Sequence, residues 1–324
     1  MDAGGSVGLG HFYRSVNLAG VLARRGHVVI FTHQPSAFWT EVEKGNFPFV
    51  CISLTNDSGD EECKLVISEK ADVFYVDSIL EFDPAVITLI KQYASVVFYQ
   101  NLSKSRGLAD IFILPTFHHP ASFFKLFDSN TIIFQGMEYQ IFKEKIVNLP
   151  PKQSSDRVKH IAITTGGSDP RNTMMMIYHL LDFLRFRKYS FTFFYGTDFQ
   201  HMDNLVDNPP LGIDFFPYDE ERILDCDILI SCFGVSTYEF MVLGMPIISF
   251  GHQISNANAS AYISHNYSGL IDLGLIDLVT SDLLNSVLNK LILDKTLRIT
   301  LSEKAKKIAD FQGVNRIVKI IQSL

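Results

Sequence analysis

The sequence predicts an α/β protein with two Rossmann-like, doubly wound domains, and three observations support this fold class. Short β-branched and aromatic runs alternate with amphipathic stretches along the chain, as in βαβ units. Three glycine-containing turns each lead into a helix-like segment. The chain has 324 residues, 47% of them hydrophobic, which suffices for two domains of ordinary size.

Composition excludes several function classes. The formal net charge is −7 and no basic block is present, which argues against a nucleic-acid partner. The four cysteines lack CxxC spacing and suit reduced thiols in a cytoplasmic protein. No apolar run reaches the ~18 residues of a membrane span. His118 and His119 are adjacent, so their side chains point apart, and we expect no metal site there. We also expect that the protein needs no cofactor and is a monomer.

The first fifteen residues contain a glycine-rich turn, with Gly8 and Gly10, that leads into a helix expected over residues 11–25. Free amides at a helix N-terminus suit anions. His11 and Arg14, three residues apart, share one face of this helix and add an imidazole and a fixed cation. A simple tight turn with a structural histidine is the alternative.

A doubly wound domain normally begins with a buried strand directly before its glycine-rich turn, and only three residues precede this one. We therefore expect the first strand of the N-terminal domain to be absent from this sequence. Because that strand usually lies in mid-sheet, its absence should leave unpaired strand edges and a hydrophobic slot.

Asp77 directly follows an apolar run, residues 73–76. Polar residues at the carboxyl ends of strands face the ligand crevice of open α/β sheets, so Asp77 is a candidate site residue. An N-cap role for the helix expected from Pro84, or a simple turn role, is the alternative.

The second turn, Gly166, Gly167 and Ser168, follows a strand expected over residues 160–164. Its glycines would let a phosphate approach the backbone closely. Asp169 before Pro170 suits an N-cap equally well.

The third turn begins at Gly234 and includes Ser236, Thr237 and Glu239. Ser236 with Glu239 three residues later matches a capping box. The Glu239 carboxylate could instead accept hydrogen bonds from two ribose hydroxyls.

Turn-forming residues cluster over 145–157, where apolar periodicity stops, and this stretch is expected to link the two domains. The predicted domains are residues 1–148 and 149–324. From Asp282 onward the chain is predicted to be helical to its end.

Taken together, these motifs resemble the PseG/SpsG group of nucleotide-sugar hydrolases of pseudaminic acid biosynthesis, which is related to MurG-type glycosyltransferases of the GT-B fold. The matching residues are Asp2-Ala3, Gly8-Leu9-Gly10-His11 with Arg14, Val76-Asp77-Ser78, Gly166-Gly167-Ser168-Asp169-Pro170 with Asn172-Thr173, Gly234-Val235-Ser236-Thr237-Tyr238-Glu239 with Leu243-Gly244-Met245-Pro246, and Asp310-Phe311-Gln312-Gly313 with Arg316.

The resemblance implies two Rossmann-like domains facing a cleft, with UDP mainly on the C-terminal domain. The turns at Gly166 and Gly234 would hold the diphosphate, and Glu239 the ribose. The N-terminal loop would hold the sugar, with His11 as the general base that activates water at the anomeric carbon. UDP would leave by C–O cleavage without a metal, while Arg14 offsets its charge.

Three positions depart from the group's pattern. Ile79 stands in place of a tyrosine, Asn101 in place of an aspartate, and His252 in place of the asparagine of an Asn-Gln pair that ends at Gln253. These positions lie where the sugar would bind, so they affect sugar identity and reaction type more than nucleotide binding. The resemblance favours hydrolysis of a UDP-linked amino-deoxy sugar. A GT-B glycosyltransferase with a UDP-sugar donor and a non-catalytic nucleotide-sugar-binding paralogue are the alternatives.

Overall fold

The chain forms two compact units. The computed structural model describes residues 10–55, 59–116, 119 and 121–324. The first unit is Met1–Glu144 with Phe311–Leu324, and the second is Lys145–Asp310. The first division lies close to the predicted boundary. The C-terminal segment, however, belongs to the first unit, which differs from the predicted assignment of residues 149–324 to one domain.

The strands and helices alternate along most of the chain. The strands are β1 (Ile30–His33), β2 (Val50–Ser53), β3 (Val73–Val76), β4 (Ser95–Tyr99), β5 (Ile111–Leu114), β6 (Ile132–Gln135), β7 (His160–Thr164), β8 (Ser190–Tyr195), β9 (Ile213–Pro217), β10 (Ile228–Cys232), β11 (Ile247–Gly251) and β12 (Ile271–Leu275). The helices are α1 (Gly10–Arg24), α2 (Ala37–Lys44), α3 (Asp60–Glu69), α4 (Pro84–Ile90), α5 (Glu144–Val147), α6 (Thr173–Leu180), α7 (Glu220–Asp225), α8 (Val235–Val242), α9 (Ile254–Tyr267), α10 (Ser281–Leu293), α11 (Lys295–Ala305) and α12 (Gly313–Ile321).

The second unit has one parallel six-stranded sheet in the order β12-β11-β10-β7-β8-β9. This is the doubly wound order, in which the direction of winding reverses beside the first strand. Here the reversal lies between β7 and β10, where Thr164 pairs with Ser231. Both strands are buried over these residues, as expected for a parallel sheet covered on both faces.

The first unit has two parallel groups of strands, β1-β2 and β3-β4-β5-β6. A cavity of about 590 Å³ lies between β1 and β3, and neither strand pairs with a described strand on that side. The unpaired edges and the slot expected from the sequence are therefore present in the described part of this unit.

Each face of the β3–β6 group is covered by helices. Val66 of α3 and Ile87 of α4 pack with Phe98 on one face. Leu18 of α1 and Ile317 of α12 pack with Val97 on the other. Successive strand residues point to opposite faces, so this arrangement follows from the alternation along β4.

The last helix joins the first unit because of its apolar stripe. Val314, Ile317 and Val318, at helical spacing, are buried in the same cluster as Leu18. A Cβ at Gly313 would lie 2.1 Å from the backbone oxygen of Gln140, so glycine permits this close approach. The tail that was predicted to be helical from Asp282 consists of three helices, α10, α11 and α12.

Within the described residues, none of the helices combines the length and the apolar character that crossing a bilayer requires.

Asn101, one of the positions that departs from the family pattern, holds two loops together in the first unit. Its side-chain nitrogen donates to the backbone oxygens of Ser78 at 2.7 Å and Leu80 at 3.1 Å. Its side-chain oxygen accepts from the Ser103 amide at 2.9 Å, and the residue is fully buried. An aspartate could not donate to the two carbonyls, so asparagine is required by this packing.

We expect Asn101→Asp to lower the free energy of unfolding of the first unit by about 2–3 kcal/mol, because two buried carbonyls lose their donor and face a carboxylate. Urea denaturation at neutral pH measures the loss. Asn130→Asp, at an exposed position of the same unit, is the matched control and should change stability by less than about 0.5 kcal/mol. Equal effects of the two variants would contradict the structural role.

Candidate functional site

The polar centre of the first unit is a cluster around Asp77, which directly follows β3. Arg14 donates from Nε to Asp77 Oδ2 and from Nη2 to Oδ1, both at 2.6 Å. This is the bidentate geometry in which guanidinium and carboxylate bind most strongly. Ser15 donates a longer bond of 3.3 Å to Oδ2. The structure thus brings together two predicted site residues that are 63 positions apart.

Both partners of this ion pair are buried, and each shifts the other's pKa. Burial alone would raise the pKa of Asp77, but the charge and hydrogen bonds of Arg14, with the hydrogen bond of His11, lower it to about 2. Burial alone would lower the pKa of Arg14, but Asp77 outweighs it and raises the pKa. Both groups are therefore charged at neutral pH.

His11 completes the cluster. Its Nδ1 lies 2.6 Å from Asp77 Oδ1, and its side chain is 16% exposed whereas that of Asp77 is 1% exposed. A carboxylate only accepts, so this contact assigns a proton to Nδ1; in the neutral imidazole, Nε2 then carries the lone pair. The 2.8 Å approach of Arg14 Nη2 to Nδ1 is then a close contact between two donors rather than a hydrogen bond.

Aromatic rings close the buried side of the cluster. The Arg14 guanidinium lies 5.2 Å from the centroid of the Tyr99 ring. The Tyr99 hydroxyl donates to the Tyr139 backbone oxygen and accepts from the Ile141 amide, which fixes the ring. The predicted N-cap role of Asp77 is wrong, because Asp83 caps the helix that begins at Pro84.

In the second unit, two of the predicted turns meet at the switch point. The turn at Gly166 follows β7 and the turn at Gly234 follows β10, and these strands are hydrogen-bonded neighbours. In open α/β sheets, ligands bind at this place, outside the carboxyl ends of the strands. The topology therefore brings the two predicted phosphate-binding turns side by side.

The first of these turns depends on glycine for two reasons. Gly166 has φ of 93°, a conformation that favours glycine. A Cβ at Gly196, at the end of β8, would lie 2.2 Å from the Gly167 backbone oxygen, so the two segments pack backbone to backbone. At Gly167 itself a Cβ would meet no described atom within 4 Å, so packing leaves room beside its backbone.

Asp169 satisfies the start of α6. Its carboxylate accepts from the amides of Thr173 and Met174, both at 2.8 Å, and from the hydroxyls of Thr173 and Thr165. The cap residue of the helix is Asn172, so Asp169 acts from three residues further upstream than a conventional N-cap. These helix amides are already bonded, which leaves the loop residues Gly166 to Ser168 as the candidate phosphate contacts.

The third turn is held by Thr237 rather than by Glu239. The fully buried Thr237 hydroxyl accepts from the Gly234 amide at 3.2 Å and donates to the Cys232 backbone oxygen at 3.1 Å. The predicted capping box of Ser236 and Glu239 is wrong, because α8 begins at Val235 with Gly234 as its cap residue. Thr237 therefore shapes the turn from inside.

Glu239 is fully buried in α8, one turn beyond the cap residue. Burial and, after it, the charge of Glu239 raise the pKa of the Tyr218 phenol. Gln253 is exposed and is the cap residue of α9, without a side-chain cap bond.

His252, noted above as a departure from the family pattern, lies at the switch point with Cys232 and Arg171, which the sequence did not single out. The Cys232 sulfur is 3.2 Å from His252 Nδ1, and Arg171 donates to the His252 backbone oxygen and to Asp277. Burial raises the pKa of Cys232 to about 12, so it remains a neutral thiol at neutral pH. Burial also lowers the pKa of His252. Adjacency of β10 and β11 brings Cys232 and His252 together, whereas Arg171 reaches them from the loop between β7 and α6.

The remaining predicted site residues divide between the two units. Gly10 is the first residue of α1, directly before His11. Gly8 and His118 lie outside the described residues. Ser168 contributes its backbone oxygen to a bond from the Gln200 amide.

The sequence is similar to those of two known proteins. No protein-family model matches the chain. It is 22% identical, over an alignment of 333 residues, to the spore coat polysaccharide biosynthesis protein SpsG of Bacillus subtilis, covering 100% of this chain and 96% of that protein. It is 24% identical over 265 residues to an uncharacterized protein of Methanocaldococcus jannaschii, covering 76% of this chain. The chain spans about half of that second relative, since the match covers 54% of it.

Solved structures decide the fold. MurG of Acinetobacter baumannii aligns with a TM-score of 0.69 at 14% identity, covering 100% of this chain and 98% of that one. Anabaena HepE in complex with UDP-glucose aligns with a TM-score of 0.61 at 13% identity, covering 97% and 96%. The chain has the GT-B fold. The predicted pair of Rossmann-like domains is confirmed. His11 lies in the first unit.

The Asp77–Arg14 pair predicts a pH dependence of stability. A carboxylate whose folded pKa is lowered stabilises the protein fully above its unfolded pKa, and loses this contribution as pH falls through about 2. At pH 7 we expect Asp77→Asn to cost about 3–5 kcal/mol, because Arg14 is left buried without its counter-charge. Between about pH 5 and pH 2, the difference in the free energy of unfolding between wild type and Asp77→Asn should decrease by about 2 kcal/mol.

Denaturant unfolding over this pH range measures this difference. Asp72→Asn, at an exposed position beside β3, is the matched control and should show a small difference at every pH. If the difference in the free energy of unfolding between wild type and Asp77→Asn does not change with pH, the ion pair is not the cause of that difference.

Proposed function

We propose that this protein hydrolyses a UDP-linked amino-deoxy sugar at the anomeric carbon, with His11 as general base. The observation that carries the proposal is the His11–Asp77–Arg14 cluster. Asp77 fixes the imidazole through Nδ1, and the partly exposed ring keeps Nε2 available to take a proton from water. Imidazole is suited to this role near neutral pH.

Arg14 serves two purposes in this proposal. Its bidentate bonds hold the Asp77 carboxylate in one orientation, and therefore fix the imidazole. Its charge also balances the carboxylate, so the centre as a whole is not anionic and does not repel a diphosphate. The reaction adds water to the anomeric carbon, and the C–O bond to the diphosphate breaks with UDP as the leaving group.

The second unit is proposed to bind the UDP moiety. The loop amides of Gly166, Gly167 and Ser168 and the turn at Gly234 would bind the phosphates, while Glu239 would accept bonds from the ribose hydroxyls. Support comes from the position of both turns at the switch point. Support also comes from the similar fold of HepE, whose structure contains UDP-glucose.

Transfer of the sugar to an acceptor hydroxyl is the second candidate, because MurG-like proteins share the fold over nearly the whole chain. The same general base would serve either reaction, since water and an alcohol are activated alike. The similarity to SpsG, a protein of polysaccharide biosynthesis, is compatible with both. Release of free sugar from the donor alone, without any added alcohol, distinguishes hydrolysis from transfer.

The base is tested by His11→Asn. The asparagine amide can still donate to Asp77, but the basic nitrogen is gone. We expect kcat for UDP release from UDP-linked acetamido sugars to fall by a factor of about 10²–10⁴, with KM changed much less.

His265→Asn, at an exposed position of α9, is the control and should keep wild-type kcat. A His11→Asn enzyme with unchanged kcat would remove the assigned base. UDP binding without turnover of any UDP-sugar by the wild type would favour a non-catalytic binder.

The nucleotide site is tested separately by Glu239→Gln. Loss of a charge-assisted bond to ribose should weaken UDP binding about tenfold or more, which corresponds to about 1.4 kcal/mol per factor of ten. Isothermal titration with UDP alone measures this, and Glu303→Gln, exposed on α11, should bind like wild type. An unchanged dissociation constant would exclude Glu239 from the ribose site.

A further inference from the structure

The slot in the first unit lies between two strand edges. Residues 28–32 line one side and residues 71–75 line the other, five consecutive positions on each. β1 pairs with β2, β3 pairs with β4, and neither pairs with a described strand along the slot. Two parallel sheet edges therefore face the same cavity, and each presents backbone donors and acceptors.

The two remaining walls of the slot are helix faces. From α1 come Ser15, Leu18, Ala19 and Leu22, and from α3 come Glu62, Leu65, Val66 and Glu69. Both sets have the i, i+3, i+4, i+7 spacing of one helical face. The helices lie on opposite sides of the sheet, because Leu18 packs with Val97 and Val66 with Val96. An occupant thus meets Leu18, Ala19 and Leu22 on one face, and Leu65 and Val66, flanked by Glu62 and Glu69, on the other.

In the second unit, the equivalent position of the sheet is occupied by a β-strand. There β7 lies between β8, the next strand along the chain, and β10, the first strand on the far side of the switch point. β7 is five residues long, parallel to both neighbours, and buried in its last four positions. The slot between β1 and β3 is the corresponding position of the first unit.

One buried polar atom also lacks a partner beside the slot. The hydroxyl of Tyr75, a lining residue, is inaccessible and has no hydrogen-bond partner among the described residues. An occupant with backbone donors and acceptors would offer one.

We propose that the slot binds one extended peptide strand of about five apolar residues, parallel to β1 and β3, which joins the two groups of strands into one sheet. Its backbone would bond to both edges, and its side chains would alternate between α1 and α3. This inference does not rest on the proposed catalytic function.

The geometry also indicates how an occupant is best attached. His11 in the first turn of α1 contacts Asp77 at the carboxyl end of β3. A parallel strand in the slot therefore ends near the beginning of α1, and a strand tethered ahead of α1 would form a short βαβ unit. A tethered strand should bind more tightly than a free peptide, because tethering raises its effective concentration.

Hydrogen exchange of the 324-residue chain, with a synthetic peptide as probe, tests the proposal. The probe has a core of about five alternating valines and isoleucines flanked by lysines, and the control peptide has proline at the centre, which cannot donate to a sheet edge. At ten times its dissociation constant, the probe should slow exchange about tenfold at those amides of residues 28–32 and 71–75 that do not bond to β2 or β4. The control peptide should have no effect, and the same strand fused ahead of Met1 should give stronger protection and a higher Tm.

A matched pair of variants locates the site. Leu65→Glu places a charge in the α3 wall of the slot, and should abolish protection by the peptide. Leu89→Glu, on the exposed side of α4, should leave it intact.

Several results would overturn the proposal: no protection at either edge, equal protection by the proline peptide, or protection confined to β2 or β6. So would protection, in the chain alone, of the amides of residues 28–32 and 71–75 that do not bond to β2 or β4. UDP-sugar turnover plays no part in these readouts, so failure here and failure of the catalytic proposal are distinguishable.

Discussion

The buried ion pair between Asp77 and Arg14 is the constraint on which the first unit's site depends. It joins the first turns of α1 to the carboxyl end of β3, across 63 positions of sequence, with both charges withdrawn from water. Burial of either charge alone would be costly, so the two segments must meet for the unit to be stable. The orientation of His11 follows from that meeting, because the carboxylate that binds the guanidinium also holds Nδ1. Stability and the geometry of the candidate base therefore rest on the same carboxylate.

In the second unit, side chains of the protein itself bond the backbone amides at the starts of α6 and α8. Asp169 bonds the first amides of α6, and the Thr237 hydroxyl bonds the amide of Gly234. A helix N-terminus is an anion site only where its amides are free to bond the anion, and at α6 they are not. This shifts the candidate phosphate contacts to the loop between β7 and α6, where Gly166 adopts a positive φ and Gly167 has open space beside it. The glycines are thus explained by backbone conformation and approach, independently of any helix dipole.

Much of this organisation was accessible from the sequence, and the exceptions have physical causes. The strands at residues 73–76 and 160–164 have the predicted bounds, because short apolar runs between turn formers leave little choice of period. β12 was missed because Asp272 and Gly274 interrupt its apolar pattern, and pairing with β11 stabilises it. The Ser236–Glu239 capping box was wrong because α8 begins earlier, with Gly234 as its cap residue and the Thr237 hydroxyl bonded to Gly234 and Cys232. The partners of Asp77, and the assignment of α12 to the first unit, depend on long-range contacts that no local pattern encodes.

The slot and the polar cluster are physically connected, since Ser15 and Asp77 line the first and belong to the second. α1 carries Leu18 into the slot and His11 into the cluster, so any movement of this helix relative to β3 changes both. A strand between β1 and β3 would fix α1 against the sheet through continuous apolar contact, whereas the ion pair fixes only its first turns. A strand in the slot would therefore also help to fix the orientation of the His11 imidazole, because it would hold α1 against the sheet as the ion pair does. The second unit supports this reasoning, since its own switch-point turns are positioned by a central strand, β7, that is bonded on both sides.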